Sequence, residues 1–253
     1  MKVVESISEW QNIRSSIQKP KTIGFVPTMG NLHQGHFSLF QKSLEENQLT
    51  VGSIFVNPTQ FNQPEDYLNY PKTLEHDIDK LTELGVDYCL IPTQEELYVD
   101  DFHFQVTENN ISLTMEGQHR PGHFTGVLTV VMKLLQLIKP HKSYFGMKDY
   151  QQLKLIQGMV QAFFMDTEVI GCPIIREESG LACSSRNNRL NNDEKKLAEQ
   201  FASIFHQCLD IASTQKALNA LGIDVEYIED REGQRFIAVK IGDIRLIDNF
   251  ELP

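Results

Sequence analysis

The stretch TIGFVPTMGNLHQGHFSLFQKSL, residues 22 to 44, decides the fold: a short apolar run breaks at Pro27 and Gly30 and reopens as a helix. Ile23, Gly24, Phe25 and Val26 form a brief β-branched and aromatic run bounded by turn residues, which reads as a buried strand. Beyond the turn, Leu32, Phe37, Leu39, Phe40 and Leu44 give the helix a core face, with His33 and His36 near its first turn. A helix N-terminus offers unpaired N–H groups and the positive end of the helix dipole, so this strand–turn–helix unit suits phosphate oxygens. The Gly30 to Gly35 spacing imitates a P-loop, yet His36 and Phe37 stand where a P-loop needs Lys and Ser or Thr. No G-x-G-x-x-G follows a recognisable strand. Taken alone, the histidine pair also fits a capped helix end, or half of a zinc site that lacks a third ligand at companion spacing.

Alternation extends the reading. Strands at 22–27, 51–57 and 86–91 alternate with helices at 35–46 and 73–84. An irregular stretch covers 93–118. A helix at 127–138, a strand at 143–146, a helix at 149–164 and a strand at 167–175 then follow. Such alternation predicts an α/β fold, a Rossmann-like doubly wound parallel sheet with helices on both faces. HQGH, VNPTQF, GMKD and IIRE fall at the carboxyl ends of four predicted strands, where such sheets bind ligands. From about 177 the pattern changes to an amphipathic helix carrying Leu197, Phe201, Ile204, Phe205 and Cys208, a shorter helix near 214–221, and three strands near 223–228, 235–241 and 244–248. Strands in close succession predict an antiparallel meander. The expected division is a domain over 1–176 and a smaller α+β domain over 177–253.

Composition sets the outer bounds. A chain of 253 residues, 41% hydrophobic, can bury a sizeable core. No apolar run approaches a membrane span, and MKVVESISEW lacks the features of a signal peptide, so a cytoplasmic location is expected. Cys89, Cys172, Cys183 and Cys208 are scattered, which favours reduced thiols. A net charge of −11 argues against a nucleic-acid partner.

The strand, Pro, Gly, HxGH and helix together resemble the HxGH nucleotidylyltransferase superfamily. PTMGNLHQGH is similar to the pantoate–β-alanine ligase family in particular. FVNPTQF at 55–61, YPKT at 70–73, RPGHFTGVLTVV at 120–131, YFGMKDYQQL at 144–153 and REESGLACSSRNNRL at 176–190 continue the resemblance in family order. It implies two half-reactions. Pantoate's carboxylate attacks the α-phosphorus of ATP to give pantoyl adenylate and pyrophosphate, and the amine of β-alanine then displaces AMP. Two anions must meet in the first step, inside a negative body, so the site needs a local cluster of positive donors.

By that resemblance, the ATP site includes Met29, Gly30, Asn31, Leu32, His33, Gln34, Gly35 and His36, then Gly146, Met147, Lys148 and Asp149, then Ile175 through its backbone, and Cys183, Ser184, Ser185 and Arg186. The catalytic groups are expected to be His36, His33, Lys148, Ser185 and Arg186. Gln60 and Gln152 are expected to bind pantoate, with Gln60 also near β-alanine. Asn57, Arg120 and His123 are further candidates, read either as direct contacts or as loop-ordering groups. Met147 stands where the family often has Glu or Gln, and Cys183 where it usually has Met or Leu, so both are expected to act through the backbone. No protein metal site is expected. Mg2+ would arrive mainly on ATP, and Glu75 and Asp77 read as first-turn residues that favour their helix dipole.

The family is usually a homodimer, and its substrates are small molecules. Two alternatives follow from the same residues. One is a nucleotidylyltransferase acting on a phosphate acceptor, which would call for Arg or Lys in place of the two glutamines. The other is a non-catalytic nucleotide-binding relative, motivated by a tail over 191–253 that looks shorter than the family's usual second domain.

Overall fold

The computed structural model describes residues 1–17, 21–207 and 209–253. Cys208 therefore lies outside the described residues. The chain divides into two compact units. The first comprises Met1–Leu32, His36–Gly146 and Gln151–Cys172, and the second His33–Gly35, Met147–Tyr150 and Pro173–Pro253.

The first unit opens with β1 (Lys2–Val4) and α1 (Ile7–Ser16). The central pair of crossovers is β2 (Ile23–Thr28), α2 (Gln34–Glu46), β3 (Leu49–Ile54), the short α3 (Pro64–Leu68), α4 (Leu74–Leu84) and β4 (Tyr88–Leu90). Short helices α5 (Gln94–Leu97) and α6 (Glu116–His119) precede the long α7 (His123–Ile138). Then come β5 (Lys142–Gly146), α8 (Tyr150–Ala162) and β6 (Glu168–Cys172).

Among the described residues, six strands form one parallel sheet in the order β1-β4-β3-β2-β5-β6. The chain runs outward from β2 through β3 to β4, then returns to add β5 on β2's other side. That reversal is a topological switch point, the place where open α/β sheets leave a ligand crevice. Five of the six residues of β2 are buried, as a central strand covered on both faces requires.

The second unit contains α9 (Asn192–Phe205), α10 (Ile211–Ala220) and β7 (Asp224–Arg231), β8 (Gln234–Ile241) and β9 (Ile244–Glu251). The three strands pair antiparallel as a meander. Phe201 and Phe205 of α9 and Leu218 of α10 share one apolar cluster with Ile237 and Val239 of β8. This is the α+β arrangement expected.

Several boundaries differ from expectation. β1 has three residues, too few for a period to register, and α1 buries only Trp10 and so shows no apolar stripe, although Ser6 accepts the Glu9 N–H at 3.1 Å as an N-cap, a legible S-x-x-E signal. Trp10 of α1 is fully buried and donates to the Leu137 carbonyl at 2.9 Å. The stretch over 93–118 is not wholly irregular, since Thr93 and Glu96 form a capping box on α5. α7 begins at His123 rather than 127, after a left-handed Gly122. β6 ends at Cys172 rather than at 175, because Pro173 cannot donate to the ladder.

Candidate active site

In the first unit, the turn after β2 is held from below by one carboxylate. Gly30 and Asn31 are both left-handed, at φ 80° and 51°, a conformation Gly adopts freely and Asn tolerates. A Cβ on Gly30 would also stand 3.1 Å from Asp77 Oδ2. Asp77 is 1% exposed and accepts from Asn31 N at 2.8 Å, Leu32 N at 2.9 Å and Thr73 Oγ1 at 3.0 Å. Thr28 Oγ1 adds a bond from Gly30 N at 3.2 Å. The N–H groups of Asn31 and Leu32 are thus committed to Asp77, not directed outward. Glu75 is exposed in the first turn of α4, as read from the sequence, whereas Asp77 is a loop clamp that sequence reasoning missed. Its only advance signal was an acid at that helix start. His36 follows in the first turn of α2, partly buried.

The two glutamines belong to the same unit. Gln60 Oε1 accepts from Asn57 Nδ2 at 3.1 Å, which turns the Gln60 amide nitrogen toward Met29 Sδ, 3.1 Å away. Asn57 is 1% exposed, and it also donates to the Gly126 carbonyl at 3.1 Å and accepts from Tyr98 at 2.8 Å. Its amide is spent on the protein. The Gln60 carbonyl accepts from His123 Nδ1 at 2.8 Å, and Arg120 Nη1 lies 3.0 Å from His123 Nε2. Since Nδ1 faces a carbonyl and Nε2 faces a guanidinium, the consistent tautomer of His123 carries its proton on Nδ1. These contacts join Asn57, Arg120 and His123 to the backbone and side chain of Gln60. Gln152 is partly buried, and its side chain makes no hydrogen bond among the described residues.

In the second unit, His33 lies just before α2 rather than within it. Its Nδ1 accepts from Gly35 N at 3.1 Å, leaving Nε2 as the protonated donor. A Cβ on Gly35 would meet the His33 ring at 2.9 Å, so the approach needs glycine. Burial, then the Lys148 ammonium, hold the His33 imidazole down at about 4, against a smaller opposing pull from Asp149. His33 is therefore a neutral Nε2–H donor near neutral pH.

That depression has a consequence for stability. Between pH 6.5 and about 4 the unfolded chain binds a proton at this histidine and the folded chain does not, so stability falls as pH falls through that window. From about pH 7 to about pH 5 we expect a contribution of about 2 kcal/mol, absent in His33→Gln. Urea unfolding at the two pH values checks this, and identical pH dependence in the two proteins would refute it.

Lys148 and Asp149 belong to the one-turn helix Met147–Asp149, directly after β5, the strand beside β2. Lys148 is partly buried and makes no ion pair among the described residues. Gly146, the last residue of β5, and Met147 are partly buried. Asp149 and Gln34 are exposed. Further along, Arg176 bridges to Ala182, and the Ile175 carbonyl accepts from Cys183 N at 2.9 Å. This hairpin delivers Cys183 and then Ser184, whose Oγ caps Arg186 N at 3.3 Å. Ser185 and Arg186 start the helical turn that follows. Cys89 and Cys172 are buried free thiols and Cys183 is partly buried. Burial raises the Cys183 thiol, which keeps it protonated.

A parallel sheet with HxGH after one switch-point strand and a basic turn after the next defines an HxGH-type nucleotide-binding α/β protein. The comparisons carry this further. The family model described as Pantoate-beta-alanine ligase matches residues 2–251. The chain is 57% identical over 252 residues to the pantothenate synthetase of Legionella pneumophila strain Lens, covering all of both chains. It is 54% identical to that of Coxiella burnetii, covering 98% of this chain and 96% of the relative. A crystal structure of pantoate-beta-alanine ligase from Francisella tularensis, complexed with beta-gamma ATP and beta-alanine, superposes with a TM-score of 0.96 at 43% identity, covering 99% and 97% of the two chains. Pantothenate synthetase from Thermus thermophilus superposes at 0.91 with 37% identity over the full length of both. The chain belongs to the pantoate–β-alanine ligase family. Relatives covered end to end share its length, so the short tail does not set this chain apart.

Proposed function

We propose that this protein condenses pantoate with β-alanine, using ATP, to give pantothenate, AMP and pyrophosphate through a pantoyl adenylate. The observation that carries the reading is the amide of Gln60. Its Oε1 is held by Asn57 Nδ2, and its NH2 group lies against Met29 Sδ in the turn that leads into HQGH, where the thioether is only a weak acceptor. A neutral donor whose present partner is a weak thioether acceptor suits the carboxylate or hydroxyls of pantoate, and Gln152 supplies a second amide. A phosphate acceptor would instead call for a cation, which disfavours the nucleotidylyltransferase alternative.

Each residue then has a task. His33 donates from Nε2 to a phosphate oxygen, and His36 stabilises charge as pyrophosphate departs. Lys148 is a mobile point charge across the phosphates. Ser184, Ser185 and Arg186 grip the same group, Arg186 as a planar fork. The Ile175 N–H reads adenine, while Gly146, Met147, Asp149 and Cys183 line the nucleotide. Met29, Gly30, Gln34 and Gly35 shape the approach, and Asn31 and Leu32 hold the turn through Asp77. Such groups accelerate the reaction only as far as their contacts strengthen while charge moves to the leaving oxygens.

Gln60 also lies near incoming β-alanine. Mg2+ arrives bound to ATP. Among the described residues no cluster of three His, Cys, Asp or Glu could hold a metal ion, and the Asp77 oxygens are already occupied. The reading assigns 1–176 to nucleotide and pantoate, and 177–253 to a lid. It also assigns a homodimer in the cytoplasm. Among the described residues, no helix is long and apolar enough to cross a membrane.

The test is product formation under substrate omission. AMP and pyrophosphate should appear with ATP, pantoate and β-alanine together, or with hydroxylamine replacing β-alanine. Equal AMP release without pantoate would sink the proposal.

A further inference from the structure

Two consecutive residues of β9 tie together the two segments assigned to phosphate. Asp248 and Asn249 are each 3% exposed, although both are polar. Neighbouring residues of a strand point to opposite faces, so each needs its own set of partners to offset burial. Asp248 accepts from both terminal guanidinium nitrogens of Arg176, Nη1 at 2.7 Å and Nη2 at 3.0 Å, and lies 3.0 Å from His206 Nε2. Burial alone would raise its carboxyl, and the bonds from His206 and Arg176 outweigh that and hold it below the usual carboxylate range. Arg176 in turn donates to the Gly180 carbonyl at 3.0 Å and to the Asn249 carbonyl at 3.3 Å. It therefore braces the hairpin that delivers Cys183 to Arg186.

Asn249 faces the other segment. Its Nδ2 donates to the carbonyls of Met147 at 3.0 Å and Lys148 at 2.8 Å. Both amide hydrogens are spent on the turn from which the Lys148 side chain leaves. Only a side-chain amide of this length offers two divergent donors from one nitrogen. A serine offers one, and an aspartate none when ionised.

We propose that Asn249 is a positioning residue for Lys148, and that with Asp248 and Arg176 it sets the Lys148 turn and the CSSR segment in one fixed frame. The proposal rests on the reading that Lys148 serves the phosphates of ATP. A point charge on a flexible stem is effective only if its origin is fixed, and a displacement of about 1 Å can cost about a hundredfold in rate.

The experiment is a double-mutant cycle on the full chain, read by pantoate-dependent ATP–pyrophosphate exchange, with thermal melts of each variant. Asn249→Ala should lower the exchange kcat by about 10- to 100-fold, with KM for pantoate within about twofold. In a Lys148→Ala background the same substitution should cost less than about threefold, since a positioning residue has nothing left to position. A merely structural loss would multiply equally in both backgrounds. If the two effects multiply in full, or Asn249→Ala exchanges like wild type, the inference is overturned while the role of Lys148 stands. If Lys148→Ala exchanges like wild type, the reading beneath it fails as well. Should Asn249→Ala melt below the assay temperature, Asn249→Ser, which keeps one donor, goes through the same cycle under the same criteria.

Discussion

Replacing His36 or Lys148 by Ala is expected to lower turnover at least about a hundredfold, with the fold intact. The magnitude follows from charge development: removing one preorganised donor from an oxyanion-type site costs about 100- to 1000-fold in kcat. Lys148 makes no ion pair among the described residues, so its ammonium is not tied to a protein carboxylate by a salt bridge. His36 sits in the first turn of α2, where its side chain adds to the N–H groups and positive dipole of the helix end. Because both are assigned to developing charge rather than to the acid substrate, KM for pantoate should move little. Steady-state kinetics with a melting curve for each variant decides it. Unchanged turnover in a folded variant removes that residue from the mechanism.

The largest loss of stability is expected at Asp77. Asp77→Ala leaves the Asn31 and Leu32 N–H groups without their acceptor inside a buried turn, beside a Thr73 hydroxyl in the same position. Hydrogen bonds to a charged group contribute about 1.5 to 3 kcal/mol each, and orphaned buried donors cost about as much. With partial relaxation and water entry, we expect a net loss of about 3 to 5 kcal/mol. Asp77→Asn keeps one acceptor oxygen but aims an NH2 group at a donor, so it should fall between wild type and Asp77→Ala. Urea unfolding measures both. A loss under about 1 kcal/mol for Asp77→Ala would show that the turn stands without its clamp. Since the same turn leads into HQGH, Asp77→Asn should also weaken ATP binding more than pantoate binding.

The parallel sheet was legible because its central strands are buried apolar runs and its helices carry long apolar faces. β2 and α2 are one such unit, and HQGH falls where the strand ends. The meander was legible because REG and GD punctuate three short strands. Other features depend on contacts that no local pattern records. Asp77 meets Asn31 and Leu32 across 46 and 45 residues of chain, and by local signals it is an ordinary first-turn acid. Asp248 and Asn249 look like polar punctuation in a strand until Arg176, Met147 and Lys148 are found around them. Asn57, Arg120 and His123 lie in motif blocks, yet sequence alone could not say whether they face substrate or order the Gln60 segment. The protonation of His33 depends on burial and on Lys148, a residue far along the chain, and was equally out of reach.

The claim on which the account turns is that pantoate's carboxylate attacks the α-phosphorus of ATP, so one carboxylate oxygen must leave with AMP. Pantoate labelled with 18O in its carboxylate, turned over with ATP and β-alanine, tests this by mass spectrometry of the AMP. The account predicts one labelled oxygen in each AMP and none in pyrophosphate. Unlabelled AMP, or label in pyrophosphate or inorganic phosphate, would contradict it.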